Sequence, residues 1–389
     1  MKLVRTVAAV TAATALAFGA AAPGFTADAA PVTAAQVAGN TPVGTVKNWN
    51  AHPAPTAVTT GETAKWVSQV NHKDVWAFWV SSPSMGRDIP VAVIPARNGA
   101  GELVKNAPTI YLLNGAGGAE QNADWLTYAE SAKFYKDKGV NVVIPMEGAF
   151  SYYTDWLQTP KAEYFKGPQK WETFLTKELP GPIEKRLGAD NRRAVVGFSM
   201  SGTSALVLPT KAPGFYDAAA SFSGCAATST PAPYNFARLT VNRGAGAAAN
   251  FQTVTPEQMW GPMGGAYNRA NDALVNANKL RGTALYVSTS TGLAAKEDMV
   301  SHIASKGATE IQAHAAAMTL QVEGGVIEAA INTCNHDLRA KLDSLKIPAH
   351  YEFRNVGTHS WPTWRQDMET SWHKTLKPCL LYTSDAADE

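Results

Sequence analysis

A serine attacks an acyl carbon efficiently only when a base takes its proton and donors receive the resulting oxyanion. In VVGFSMSGTSAL, Val195 to Leu206, Ser199 stands directly after an apolar β-type run and directly before a helical segment. A serine on such a turn is thrust out with its hydroxyl exposed. The frame from Gly197 is G-F-S-M-S rather than G-x-S-x-G, and the second glycine comes one place later, at Gly202. The turn needs small neighbours because strand and helix backbones approach closely there. Ser201 is small, so the frame is tolerable. Alone it is a common pattern; the strand-to-helix junction is what gives it weight.

The base must lie within hydrogen-bond reach of that hydroxyl. Among eight histidines, His359 in NVGTHSWPTW sits in a glycine-bearing loop after the last strand-like run, HYEF. His350 is on a strand, His373 on the last helix, and His314 and His336 in helical segments. His359 is the expected base. The oxyanion donors are expected to be the backbone N–H groups of Met200, just after the nucleophile, and of Ala116. Ala116 belongs to the glycine-rich loop Asn114-Gly115-Ala116-Gly117-Gly118, which follows the run TIYLL. Such a loop can also cradle phosphate, but neither a Walker lysine nor dinucleotide spacing accompanies it. The pattern leaves the acid open: Glu297, Asp298, Glu323, Glu328 and Asp337 all lie between serine and histidine. No H-x-x-x-H or clustered Cys/His spacing points to a metal, and no cofactor is expected.

These residues need a scaffold that brings distant loops together. Short apolar runs at 75–80, 89–94, 109–113, 140–144, 194–198, 218–222, 285–288 and 350–353 read as strands. The first two form an antiparallel pair across SSPSMGRD. Helical patterns fall at 124–136, 171–187, 200–210, 325–345 and 361–376. Strands alternating with helices predict an α/β protein: a mostly parallel sheet covered on both faces. The stretch 223–280 is too long for one crossover and predicts a helical insertion over one end of the sheet. Active sites of such sheets lie beyond the carboxyl ends of the strands, where Ser199 falls.

The chain has 389 residues, 45% hydrophobic and 17% charged, which suits one large globular domain. A net charge of +2 gives no reason to expect a nucleic-acid partner. Lys2 and Arg5 precede an apolar run, Val7 to Phe18, which is too short to span a bilayer. Small residues follow, so residues 1–29 read as a signal peptide cleaved near Ala29, and the protein is expected to be secreted. Residues 30–65, rich in Ala, Pro, Thr and Gly, read as a flexible arm. Residues 379–389, CLLYTSDAADE, match a reading frame of a transposon-type sequencing adapter. They are expected to be an assembly artefact after a 66–378 domain. Setting Cys379 aside leaves Cys225 and Cys334, an even pair expected to form a disulfide in an oxidising compartment.

Further segments give the chain a family resemblance. They are SPSMGRDIPV from Ser82, YLLNGAGG from Tyr111, GVNVVIPMEGAFSYYTDW from Gly139 and KWETFLTKELP from Lys170. GFSMSGTSAL from Gly197, MWGP from Met259 and GTHSWPTW from Gly357 complete the set. Together they resemble the mycolyltransferases, the antigen 85 group and its corynebacterial relatives, secreted acyltransferases of the α/β-hydrolase superfamily. In that family a small residue other than glycine follows the G-x-S-M frame, which makes Ser201 the expected residue. The resemblance carries the nucleophile onto Ser199 and the base onto His359. It carries the acid onto Glu328 in GGVIEAAINTCNHDL. A Cys225–Cys334 disulfide would then brace the acid's helix against the sheet.

The resemblance implies a mycoloyl group passing from trehalose monomycolate to Ser199. A sugar hydroxyl of a second trehalose monomycolate or of arabinogalactan then takes it up. Substrate contacts are expected from Asn114, Gly115 and Gly117 in the oxyanion loop and from Ser360 and Trp361 beside His359. In the antigen 85 proteins an aspartate and an arginine occupy the places of Asn114 and Gly117, so sugar recognition departs from that pattern. The implied location is the cell envelope, with peripheral contact to its outer lipid layer. A secreted carboxylesterase and a non-catalytic surface-binding protein are the alternative readings.

Overall fold

The computed structural model describes residues 32–248 and 253–382. Nine strands form one sheet: β1 (Val46–Asn48), β2 (Trp76–Ser82), β3 (Arg87–Ile94), β4 (Thr109–Leu113), β5 (Asn141–Pro145), β6 (Arg193–Phe198), β7 (Ala218–Phe222), β8 (Ala284–Thr289) and β9 (His350–Phe353). Their order is β1-β2-β3-β5-β4-β6-β7-β8-β9. Pairings from β1 to β5 are antiparallel, and those from β5 through β9 are parallel. This is the mostly parallel sheet expected from the alternation of runs, in the α/β-hydrolase arrangement that the family resemblance implies.

The central strands are apolar on both faces because both faces are covered. Tyr111, Leu113, Val143, Val195, Ala219, Leu285 and Val287 point into one core. That core is closed by helical segments at 171–187 and by α1 (Met200–Lys211). Ile110, Leu112, Val142, Val196, Phe198, Ala220 and Tyr286 point the other way. Helical turns at 125–135 and α5 (Trp361–Ser371) cover them. The period-2 alternation of a strand thus splits each apolar run between two cores.

The insertion at 223–280 is built from α2 (Pro231–Asn242) and shorter turns. It has its own small core, in which Val241, Val254, Met259 and Trp260 pack on Phe150, Trp156 and Phe165. After β8 come α3 (Glu310–Thr319), a π turn at Leu320–Gly324 and α4 (Gly325–Ser344). Among the described residues no helix is long and apolar enough to cross a membrane.

Some sequence expectations are corrected here. The segment 124–136 is two short helices, Trp125–Ala129 and Ser131–Tyr135, because Glu130 between them takes a left-handed conformation. The part of the arm that is described is not loose. It carries a helix, Ala34–Ala38, and β1, which pairs with β2. The Thr45 N–H donates to the Ser81 hydroxyl at 2.8 Å. A three-residue strand, VKN, has too little alternation to be recognised from sequence. The expected signal peptide lies outside the described residues. Cys379–Leu381 continue the last helical stretch, with Leu380 buried in the second core. Residues 383–389 lie outside the described residues.

The arm is also tied from below. Arg193, fully buried at the start of β6, forks onto Glu184 with two 2.7 Å bonds and donates to the Val32 carbonyl at 2.8 Å. The Tyr111 hydroxyl gives Glu184 a further bond at 2.8 Å. Removing the guanidinium leaves a buried carboxylate without its counter-charge. Arg193→Met should cost about 3–5 kcal/mol in urea unfolding. Adding Glu184→Leu should recover most of that loss; a single Arg193→Met as stable as the parent would refute the assignment.

Candidate active site

The strand order reverses at β4: β5 lies on one side of it and β6 on the other. Ligand crevices of open α/β sheets form at such reversals, beyond the carboxyl ends. The loop 114–118 leaves β4 there, and Ser199 leaves β6 there. Leu113 and Gly197 are register partners, so the two loops start side by side.

Ser199 has φ 58° and ψ −126°, a conformation that L-residues rarely adopt. Its N–H donates to the Phe222 carbonyl at 2.8 Å, and its carbonyl accepts from Gly202 at 3.0 Å. Close packing enforces the turn. A Cβ on Gly197 would sit 2.2 Å from the Ser201 carbonyl oxygen. One on Gly202 would sit 2.9 Å from Gly224, in the loop after β7. Ser201 does more than fit. Its buried hydroxyl accepts from the Phe198 N–H at 3.0 Å and donates to the Leu113 carbonyl at 2.8 Å. The residue that breaks the G-x-S-x-G frame therefore ties the elbow to the end of β4.

The structure brings Ser199, His359 and Glu328 together. His359 Nε2 lies 2.7 Å from Ser199 Oγ, and its Nδ1 lies 2.8 Å from Glu328 Oε2. Glu328 is fully buried. Its other oxygen accepts from the Ser223 hydroxyl at 2.9 Å, the Thr289 hydroxyl at 3.1 Å and the Ser290 N–H at 2.7 Å. The His359 N–H donates to the Gly324 carbonyl at 3.1 Å, so loop and helix are joined by main chain as well. The Trp364 ring meets the imidazole edge-on at 4.9 Å. The Cys225–Cys334 disulfide is present and ties α4 to the loop after β7.

Of the other acids, Asp298 is buried but accepts from the Ala295 N–H and the Ser360 hydroxyl instead of the imidazole. Glu297, Glu323 and Asp337 are not bonded to His359. Met200 is the first residue of α1, so its N–H has no partner within the helix. The Ala116 carbonyl accepts from the Phe150 N–H at 2.7 Å, which fixes that residue.

Three expected substrate contacts are corrected. Asn114 is buried, donates to the Pro145 carbonyl at 3.1 Å and accepts from the Trp125 N–H at 3.1 Å. It braces the loop from a buried position. Gly115 is required by packing, since a Cβ there would sit 2.5 Å from the Phe198 ring. Ser360 is buried and bonded to Asp298. Gly117 stays half-buried in the loop. Trp361 is half-buried in an aromatic cluster, stacked on Tyr128 at 5.5 Å and tilted against Phe198 at 4.6 Å. Ser223, Thr289 and Ser290 went unnoticed in the sequence. Their signal is weak but real: each is a hydroxyl residue at the carboxyl end of a buried strand. Among the described residues no group of His, Cys, Asp and Glu is arranged to hold a metal ion.

The protein family described as "Putative esterase" matches residues 82–374. The chain belongs to this esterase family. Its relatives within the mycolyltransferase group bear out the resemblance. Diacylglycerol acyltransferase/mycolyltransferase Ag85A of Mycobacterium tuberculosis is 35% identical over 202 residues, 52% of this chain and 56% of that protein. The aligned region therefore spans only about half of that relative's length. Diacylglycerol acyltransferase/mycolyltransferase Ag85C of Mycobacterium leprae is 29% identical over 291 residues, 74% of this chain and 77% of its own. The crystal structure of Mycobacterium tuberculosis MPT51 superposes with a TM-score of 0.58 at 23% identity, over 78% of this chain and 97% of that one. This shows that the two chains share a fold.

Two substitutions probe the site. Glu328→Gln presents an amide to His359 and disturbs its tautomer, so kcat on a chromogenic ester should fall by about 10²–10⁴-fold with the circular dichroism unchanged. Ser201→Ala orphans the buried Leu113 carbonyl and Phe198 N–H and should cost about 1–3 kcal/mol in denaturant titration. An unchanged midpoint would mean that the hydroxyl is not a tie.

Proposed function

We propose that this protein is an acyltransferase that moves a mycoloyl group from trehalose monomycolate to a sugar hydroxyl through an acyl-enzyme on Ser199. The observation that carries the reading is the unbroken hydrogen-bond relay from Ser199 through His359 to Glu328. The names of the antigen 85 relatives support the acyl donor class.

In the first step Ser199 Oγ attacks the ester carbonyl carbon, and its proton passes to His359 Nε2. Nδ1–H stays on Glu328 Oε2, which stabilises the imidazolium. The carbonyl oxygen becomes an oxyanion facing the N–H groups of Met200 and Ala116. Collapse breaks the bond to the trehalose oxygen, which takes the proton from Nε2. The second step reverses this path, with a sugar hydroxyl giving its proton to Nε2 as it attacks the acyl carbon. Three donors already compensate the other oxygen of Glu328, so its Oε2 is the one turned to His359.

Gly117 and Trp361 are the remaining candidates for sugar contact, since Asn114 and Ser360 are committed internally. The disulfide supports export to an oxidising compartment. The mature domain would then work in the cell envelope, against its lipid layer and arabinogalactan. The family description favours one second reading, hydrolysis of the same ester by water.

Intact-mass spectrometry after incubation with trehalose monomycolate should show one mycoloyl adduct, absent from Ser199→Ala. Adding excess trehalose monomycolate should discharge it as trehalose dimycolate. Discharge only as free mycolic acid would establish the esterase reading instead, and no adduct under any condition would refute both.

A further inference from the structure

Glu120 lies at the end of the oxyanion loop and is not part of the relay. It is only 5% exposed. Its Oε1 accepts from the Gly148 N–H at 2.9 Å and the Ala149 N–H at 3.1 Å. The next amide, Phe150 N–H, donates to the Ala116 carbonyl at 2.7 Å. Two residues on, the Tyr152 N–H meets the Met200 sulfur at 3.3 Å. One short backbone stretch thus spans from Glu120 to both residues whose N–H groups face the oxyanion. Phe150, Tyr152 and Tyr153 all have positive φ, between 47° and 59°. The stretch is not a conformation the chain would hold unaided.

We propose that Glu120 is a positioning residue for both oxyanion donors, acting through the backbone of residues 148–152. The proposal rests on the acyl-enzyme reading above.

The carboxyl group has an unusual environment for such a task. Its Oε2 is buried and has no hydrogen-bond partner. The loop leaves space there because residue 118 is glycine; a Cβ would lie 3.0 Å from that oxygen. The charged and titratable groups facing it are Glu147 and Tyr153 from the loop after β5, Lys166 from the segment that follows, and Arg87 from β3 behind Glu147. The cations are engaged elsewhere: Arg87 bonds Glu147 at 2.9 Å, and Lys166 reaches Glu147 at 3.6 Å. Burial first, and the Glu147 charge second, push the Glu120 carboxyl up to about 7, against the pull of the Ala149 amide and Lys166.

Glu120 is therefore neutral in the folded site below that value. The proton-linked stability is fully present below the ordinary carboxyl value of 4.5 and is lost as pH rises to about 7. Above it, a buried charge with one unpartnered oxygen sits at the root of the 148–152 stretch. Water entering to solvate that charge would loosen the stretch and misplace the Ala116 and Met200 donors. The effect falls on transition-state stabilisation, so it should appear in kcat and not in KM.

The test is the pH profile of Ser199 acylation by a p-nitrophenyl ester in the intact protein, comparing wild type, Glu120→Gln and Glu147→Gln. Wild type should rise through the acid range, then decline on the alkaline side by up to about tenfold per pH unit. Glu120→Gln keeps an acceptor for the two amides and cannot ionise, so it should lose the alkaline decline with KM unchanged. Glu147→Gln removes the neighbouring charge that holds the Glu120 carboxyl up and should move the decline to lower pH. A Glu120→Gln profile superimposable on wild type would overturn the proposal. If that variant does not fold, an alkaline limb unmoved in Glu147→Gln would do the same. If no form acylates, the acyl-enzyme reading fails instead. The thermal midpoint then still reports on Glu120: wild type should lose stability from pH 5 to pH 8 relative to Glu120→Gln, and parallel curves would overturn the assignment.

Discussion

A charge buried without solvent must be matched within the fold or it neutralises itself. The Glu328 carboxylate is fully buried, and much of the architecture around the carboxyl end of the sheet exists to match it. Ser223 closes β7 in a left-handed conformation that brings its hydroxyl to the carboxylate. Thr289 and Ser290 close β8 and aim a hydroxyl and an amide at the same oxygen. The disulfide holds α4 near that strand end. The remaining oxygen meets His359 Nδ1. The imidazole is thereby oriented with Nε2 toward Ser199, so the nucleophile's base is positioned by electrostatics two elements away.

The nucleophile is positioned by a different force, steric crowding. Gly197, Gly202 and Gly224 let strand, helix and loop approach to distances that no side chain would permit. Within that crowding Ser201 has no room for a glycine's freedom and no need of it. Its hydroxyl converts a tight contact into two hydrogen bonds, one within the elbow and one across to the end of β4. The elbow and the oxyanion loop are consequently one unit, and Asn114 and Trp125 brace the loop from behind. Residues that look like sugar contacts in a linear reading are struts in three dimensions.

The parts legible in the sequence are those with local signals. Runs of four to six residues announced eight of the strands, and the central ones are largely apolar because both their faces are buried. Ser199 and His359 were legible because each sits at a strand end followed by a change of period. β1 was missed, since three residues carry no period and the strand exists only by pairing with β2. The break at Glu130 was missed because only tertiary packing holds a glutamate in a left-handed conformation. Asn114 and Ser360 were misjudged because a polar side chain in a loop has the same sequence signal whether it meets a ligand or a carbonyl.

By itself the sequence determined the layered α/β architecture and singled out Ser199 and His359, all of which follow from periodicity and from residue type at strand ends or in the loops after them. Family resemblance chose Glu328 among the five acids. Only the tertiary structure decided how that acid is held, that Asn114 and Ser360 are bonded inside the fold, and that Glu120 grips the backbone at residues 148 and 149. The physical reason is that these are questions of compensation. Whether a buried polar group has a partner depends on what strands and loops distant in sequence present to it, and no local pattern encodes that.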